Sequence, residues 1–205
     1  MNLHRRLTLA FAAALSALAL AGCDRSAPAA PAHHFNAVDL TGASYAQQFS
    51  LPDFDGKVRT LADFKGKVTA VFFGYTQCPD ACPTTMAELA GIEKTLGADA
   101  ARVQVVFITV DPSRDTAALL KSYVTNFNPG FLALRGDEAQ TQAVAKEFKV
   151  FYEKVPGKTA TDYSIDHTAG TYIFDTQGRI RLFARQNMDP DQLTGDLKAL
   201  LAEHG

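Results

Sequence analysis

Two stretches of the chain are almost wholly apolar and rich in β-branched and aromatic residues: Val68 to Tyr75 and Val103 to Val110. Runs of this length and composition predict strands buried on both faces. Between them, Met86, Leu89, Ile92 and Leu96 recur at helical spacing, with Gly97 as a stop, which predicts a helix over 84–96. Downstream, Asp115 is placed to cap a helix over 116–126, a short strand follows near 131–134, and Asp137 opens a helix running to Phe148. The pair 171–175 and 179–184 flanks Thr176-Gln177-Gly178, the pattern of a hairpin, and Asp189-Pro190 opens a last helix to Ala202. Upstream, Asp55-Gly56-Lys57 separates two short apolar segments and predicts a small hairpin. Alternating strands and helices predict an α/β domain with helices on both faces of one sheet.

The first 22 residues read differently. Arg5 and Arg6 precede a short Ala/Leu-rich run from Leu7 to Leu20. That run falls short of the ~20 apolar residues that span a bilayer, and it is expected to be an export signal. It ends in Leu20-Ala21-Gly22-Cys23, which resembles a bacterial lipobox, so Cys23 is the expected lipidation site; Asp24 resembles an inner-membrane retention mark. Residues 23–48 then read as an Ala/Pro-rich tether in which His33 and His34 are taken as solvated linker residues, and 49–205 as the folded domain. The expected location is the periplasmic face of the inner membrane, with attachment through lipid. With 20 Lys and Arg against 22 Asp and Glu, the chain is no phosphate-coating protein, and nucleic acid is excluded as a partner.

Three cysteines are an awkward number for an exported protein. Lipidation of Cys23 leaves one pair, Cys78 and Cys82, within Gly74-Tyr75-Thr76-Gln77-Cys78-Pro79-Asp80-Ala81-Cys82-Pro83 at the junction of the first buried strand and the first helix. Positions four apart share a helix face, and the orphan N–H groups at a helix start favour thiolates. A disulfide closing so short a loop adds little stability by the chain-entropy argument. A redox pair is a serious alternative, although redox thiols are commonly spaced Cys-x-x-Cys. Two thiolates with room between them favour Cu(I) and also zinc. The third candidate ligand is His167, in Asp166-His167-Thr168-Ala169 ahead of the strand at 171–175. A thioredoxin-like arrangement turns this loop toward the cysteines, and here the chain has no proline from 157 to 189. Two thiolates and an imidazole make a trigonal Cu(I) site with further positions for Cu(II). Asp166 is a candidate to orient that site, with loop capping as the equal alternative.

Taken together, Gly-Tyr-Thr-x-Cys-Pro-Asp-x-Cys-Pro-Thr-Thr at 74–85, Thr-Val-Asp-Pro-x-Arg-Asp-Thr at 109–116 and Asp-His-x-Ala at 166–169 resemble the Sco/SenC family, over roughly residues 50–204. The resemblance implies a thioredoxin-like fold with a central mixed sheet, flanking helices and an N-terminal hairpin extension. It further implies copper held by Cys78, Cys82 and His167. The cargo would come from an upstream periplasmic donor and go to the dinuclear copper centre of cytochrome c oxidase, by a non-enzymatic carrier. A thiol–disulfide oxidoreductase acting on the Cys pair of its target is the alternative, with Cys78 attacking and Cys82 resolving. A peroxidase-like enzyme is the weakest reading. Gln77 stands where many members have His, and Ala81 where many have Ile or Val; neither change removes a ligand.

Overall fold

The computed structural model describes residues 34–158 and 162–203; the expected signal segment, Cys23 and His33 lie outside them. In chain order the strands are β1 (Val38–Asp39), β2 (Leu51–Pro52), β3 (Val58–Arg59), β4 (Val68–Gly74), β5 (Val103–Thr109), β6 (Leu132–Leu134), β7 (Tyr152–Pro156), β8 (Tyr163–His167), β9 (Gly170–Phe174) and β10 (Ile180–Arg185). The α-helices are α1 (Ala81–Leu96), α2 (Ala117–Thr125), α3 (Glu138–Glu147) and α4 (Pro190–Glu203).

Six strands form one sheet in the order β1-β10-β9-β4-β5-β6. Strand β4 is its centre: every residue is buried, and it pairs parallel with β5 and antiparallel with β9. That explains its nearly unbroken apolar run, because both faces are covered by helices or loops. Phe72, Phe73, Phe107 and Phe174 are the large buried side chains at this centre, each worth roughly 1.5–3 kcal/mol of burial. The hairpin β2–β3 turns at Gly56 (φ +85°), where a left-handed backbone suits glycine. Inside that turn the buried Asp53 carboxylate accepts from the N–H groups of Asp55 and Lys57 and from Arg59 Nε.

Four expectations are corrected. Helix α1 begins at Ala81, three residues before its expected start at 84, so Cys82 lies in its first turn. Residues 35–48 belong to the folded unit and are not tether. Strand β1 pairs with β10, Phe35, Ala37 and Ala46 are buried, and the fully buried Asp196 carboxylate of α4 accepts from the N–H groups of Asn36 and Ala37. This attachment rests on backbone donors and a two-residue strand, which leave no periodic trace in sequence. Residues 152–167 form the additional antiparallel ribbon β7–β8, apart from the main sheet. His167 is therefore the last residue of a strand and not a loop residue. Finally, Asp115 does not cap α2: the Thr116 side chain does, accepting from Leu119 N.

Candidate metal centre

The end of β4 and the start of α1 bring the cysteines together. Helix α1 opens on Asp80, whose side chain makes no capping hydrogen bond. The Cys78 sulfur takes that place, accepting from the Cys82 N–H at 3.4 Å. A sulfur so placed satisfies an orphan donor of the first turn and sits at the positive end of the helix dipole. Cys82 is fully buried behind it, whereas Cys78 is half-buried. The Cys78 thiol is pushed down to about 3, first by a hydrogen bond from the Cys82 thiol and further by the N–H groups of Asp80 and Cys82. The same bond and burial push the Cys82 thiol up. The pair therefore carries one negative charge, held on the outer sulfur.

His167 arrives from the other side, at the end of β8. Its Nε2 lies 3.5 Å from Cys82 Sγ, and its Nδ1 lies 3.1 Å from the Thr168 carbonyl oxygen. A proton on Nδ1 donates to that carbonyl and leaves the Nε2 lone pair facing the sulfurs, the tautomer that a metal ligand needs. The ring stands edge-on to Phe72 and Tyr75, with centroids 6.1 and 6.0 Å away. The ligand atoms of Cys78, Cys82 and His167 all lie within 4.8 Å of one another, and among the described residues they form the one such cluster. Two soft sulfurs and one imidazole nitrogen at this separation suit a thiophilic ion such as Cu(I). Asp166 is exposed, and it is the Thr168 carbonyl, not its carboxylate, that meets the His167 ring.

Two further groups shape the site, and neither was singled out for that role from sequence. The fully buried Asp115 carboxylate accepts from Thr76 N at 3.1 Å, from Thr76 Oγ1 at 2.6 Å and from Thr109 Oγ1 at 2.5 Å. It ties the loop that carries Cys78 to the end of β5. Arg114 pairs with the buried Asp111 and lies over the Tyr163 ring, 3.5 Å from its centroid. Among the aromatic residues, Tyr75 is core, while Phe127, Tyr152 and Tyr163 are half-buried. Gln77 is exposed beside Cys78, and Ala81 is half-buried at the first position of α1.

Comparison with known proteins places this arrangement. A "SCO2-like protein" of Rickettsia felis is 36% identical over 151 residues, covering 73% of this chain and 74% of the relative. The mitochondrial SCO2 homolog of Bos taurus is 35% identical over 156 residues, covering 75% of this chain and 59% of its own length. Among solved structures, the copper-bound ScoI of Bradyrhizobium japonicum is 41% identical with a TM-score of 0.68, covering 75% of this chain and 97% of that one. The apo Sco1 of Thermus thermophilus is 34% identical with a TM-score of 0.73, covering 83% of this chain and 99% of that one. These neighbours share the thioredoxin-like α/β fold. The sequence model of the SCO1/SenC family matches residues 38–202, and the chain belongs to that family.

Proposed function

We propose that this protein is a copper carrier that holds Cu(I) between Cys78, Cys82 and His167 and passes it by ligand exchange to the dinuclear copper centre of cytochrome c oxidase during assembly. The observation that carries the reading is the convergence of two sulfurs and one imidazole nitrogen within 4.8 Å. Copper in the 41%-identical ScoI of B. japonicum supports the choice of metal. Cu(II) would use the same three residues with added ligands.

The residues divide the work. Cys78, half-buried and charged, is the sulfur that an incoming thiolate pair reaches. His167, the neutral donor, is the ligand that leaves with least cost in charge. Cys82, fully buried, lets go last. The copper comes from a periplasmic donor and goes to the copper-centre subunit of the oxidase. Lipidation of Cys23 after removal of residues 1–22 anchors the domain at the periplasmic face of the inner membrane. No helix among the described residues is long and apolar enough to cross a membrane.

Anaerobic Cu(I) titration of the detergent-solubilised chain against a chelator tests the reading. One copper per chain, lost in Cys78→Ser and Cys82→Ser and weakened in His167→Ala, is expected. Binding that ignores all three changes overturns it.

The half-buried Cys78 sulfur with a second cysteine directly behind it supports a second reading, reduction of the target's disulfide. The Cys78 thiolate attacks one target sulfur and expels the other as thiolate. Cys82 then attacks the Cys78 sulfur, its proton passing to the expelled thiolate. This expels the second target sulfur from Cys78 as a thiolate, so the target leaves reduced, with one thiol and one thiolate that takes up a proton from water, and Cys78 and Cys82 are oxidised to a disulfide. His167→Ala leaves this exchange intact, which separates it from copper binding.

A further inference from the structure

The ribbon β7–β8 delivers His167 but is no part of the six-stranded sheet. Both cysteines, by contrast, are fixed by β4, the central strand, and by α1. Two-stranded ribbons on their own are marginal in water, and Glu153, Lys154, Val155 and Pro156 are all exposed. The distance between Nε2 and the sulfurs therefore depends on what ties the ribbon down.

Past His167 the Gln186 N–H donates to the Ala169 carbonyl at 3.2 Å; the ties on β8 itself converge on one place. Arg114 Nη1 donates to the Tyr163 carbonyl at 2.8 Å while its guanidinium lies over the Tyr163 ring. Tyr163 Oη donates to Asp111 Oδ1 at 2.8 Å, and the fully buried Asp111 carboxylate is also the ion-pair partner of Arg114. One turn of the ribbon further, Ile165 is buried and its N–H donates to Tyr75 Oη at 3.2 Å. Lys154, on the exposed side, reaches Ser113 Oγ at 3.4 Å. The segment Asp111–Arg114 follows β5, so these contacts fasten the start of β8 to the same edge of the sheet that carries the cysteines.

We propose that Asp111, Arg114 and Tyr163 form a latch whose task is to hold His167 at the metal centre. Arg114 and Tyr163 are positioning residues: none of their atoms ligates, but the ribbon they fasten sets where Nε2 points. With the latch closed the site has three donors. With it released, the imidazole withdraws and the two sulfurs stay where β4 and α1 put them. The metal is then open to an acceptor. The inference rests on the Cys-Cys-His reading of the site.

The test uses the detergent-solubilised full chain with isotope-labelled histidine, in two arms. In the metal-free protein, the His167 signal, identified by its loss in His167→Ala, reports a ring held against Phe72 and Tyr75. Arg114→Lys keeps a cation for Asp111 but cannot stack or reach the Tyr163 carbonyl in the same way. Tyr163→Ala leaves the Arg114–Asp111 pair intact, so it keeps the proposal testable should Arg114→Lys fail to fold. Both are expected to move the His167 signal toward that of a solvated imidazole. In the second arm, each is expected to lower Cu(I) affinity about 10–100-fold, to the level of His167→Ala, with no further loss when combined with His167→Ala. An unmoved signal with affinity within about twofold of the parent overturns the latch. So do losses that multiply in the combined variant, because the residues then act elsewhere than on His167. If His167→Ala itself leaves copper binding unchanged, the metal reading fails, while the metal-free signal still decides the latch.

Discussion

The Cys82 sulfur has its place because residue 74 is glycine: a Cβ on Gly74 would lie 2.8 Å from Cys82 Sγ, with Phe72 and Phe107 ring atoms at 2.9 and 3.0 Å. Sulfur, strand backbone and two aromatic rings fill one buried point, where β4 gives way to the metal loop. Gly74→Ala is accordingly expected to destabilise the fold by about 1–3 kcal/mol, the usual cost of overpacking. It should also weaken Cu(I) binding by displacing Cys82. Denaturant unfolding and chelator competition read the two effects. A variant with parental stability and affinity would show that the sulfur relaxes freely.

The Asp115 carboxylate joins the Cys78 loop to β5 through three short hydrogen bonds. Asp115→Ala leaves buried donors without partners, at a cost of about 1–3 kcal/mol. The expected result is lower stability together with faster alkylation of Cys78, since the loop that presents it loses its anchor. Asp115→Asn keeps an acceptor and is expected to fall between the two.

The single charge of the cysteine pair has a pH signature. The Cys78 thiol sits at about 3 in the fold against an ordinary 9.0. A folded-state pKa below the unfolded one stabilises the reduced protein above the unfolded value, and this contribution fades as pH falls through the window between 9.0 and about 3. The reduced, metal-free protein is expected to show one equivalent of thiolate absorption still present near about pH 5. Cys78→Ser should abolish it. Alkylation of the parent should label Cys78 before Cys82, which is buried and protonated.

Away from the site, burial raises the Glu93 carboxyl to about 7, against a smaller opposing pull from Lys67. Asn128 Nδ2 donates to it at 2.6 Å, a bond that glutamine can also accept. The sign follows from linkage: a carboxyl raised in the fold costs stability as pH climbs from the unfolded value of 4.5 to about 7, and the cost is constant above that. Because the group is partly solvated, Glu93→Gln is expected to raise the melting temperature by a modest ~2–4 °C at alkaline pH. Below the unfolded value it should change little. Equal shifts at both ends of the pH range would assign the effect to packing instead of charge.

The amino-acid pattern by itself determined the layered α/β architecture, because β4 and β5 bury both faces and so are nearly all apolar, and because two of the four helices announce their starts. Asp137 does cap α3, with Gln140 closing the capping box, and Pro190 does open α4. The spacing of Cys78 and Cys82 at a strand–helix junction is likewise written locally. Tertiary structure alone decided the remainder. The ribbon β7–β8 is mostly exposed and ends its first strand in Pro156, so it shows neither the alternation nor the apolar run that marks a strand. Asp115 and Asp196 look like ordinary polar residues of a loop and a helix, yet each is fully buried on backbone N–H groups distant in sequence. His167, 85 residues from Cys82, meets its sulfur through a ribbon fastened by Arg114 and Tyr163. Periodicity records which face of an element is buried. It does not record which distant donor a buried carboxylate will satisfy, and that pairing sets the geometry of this site.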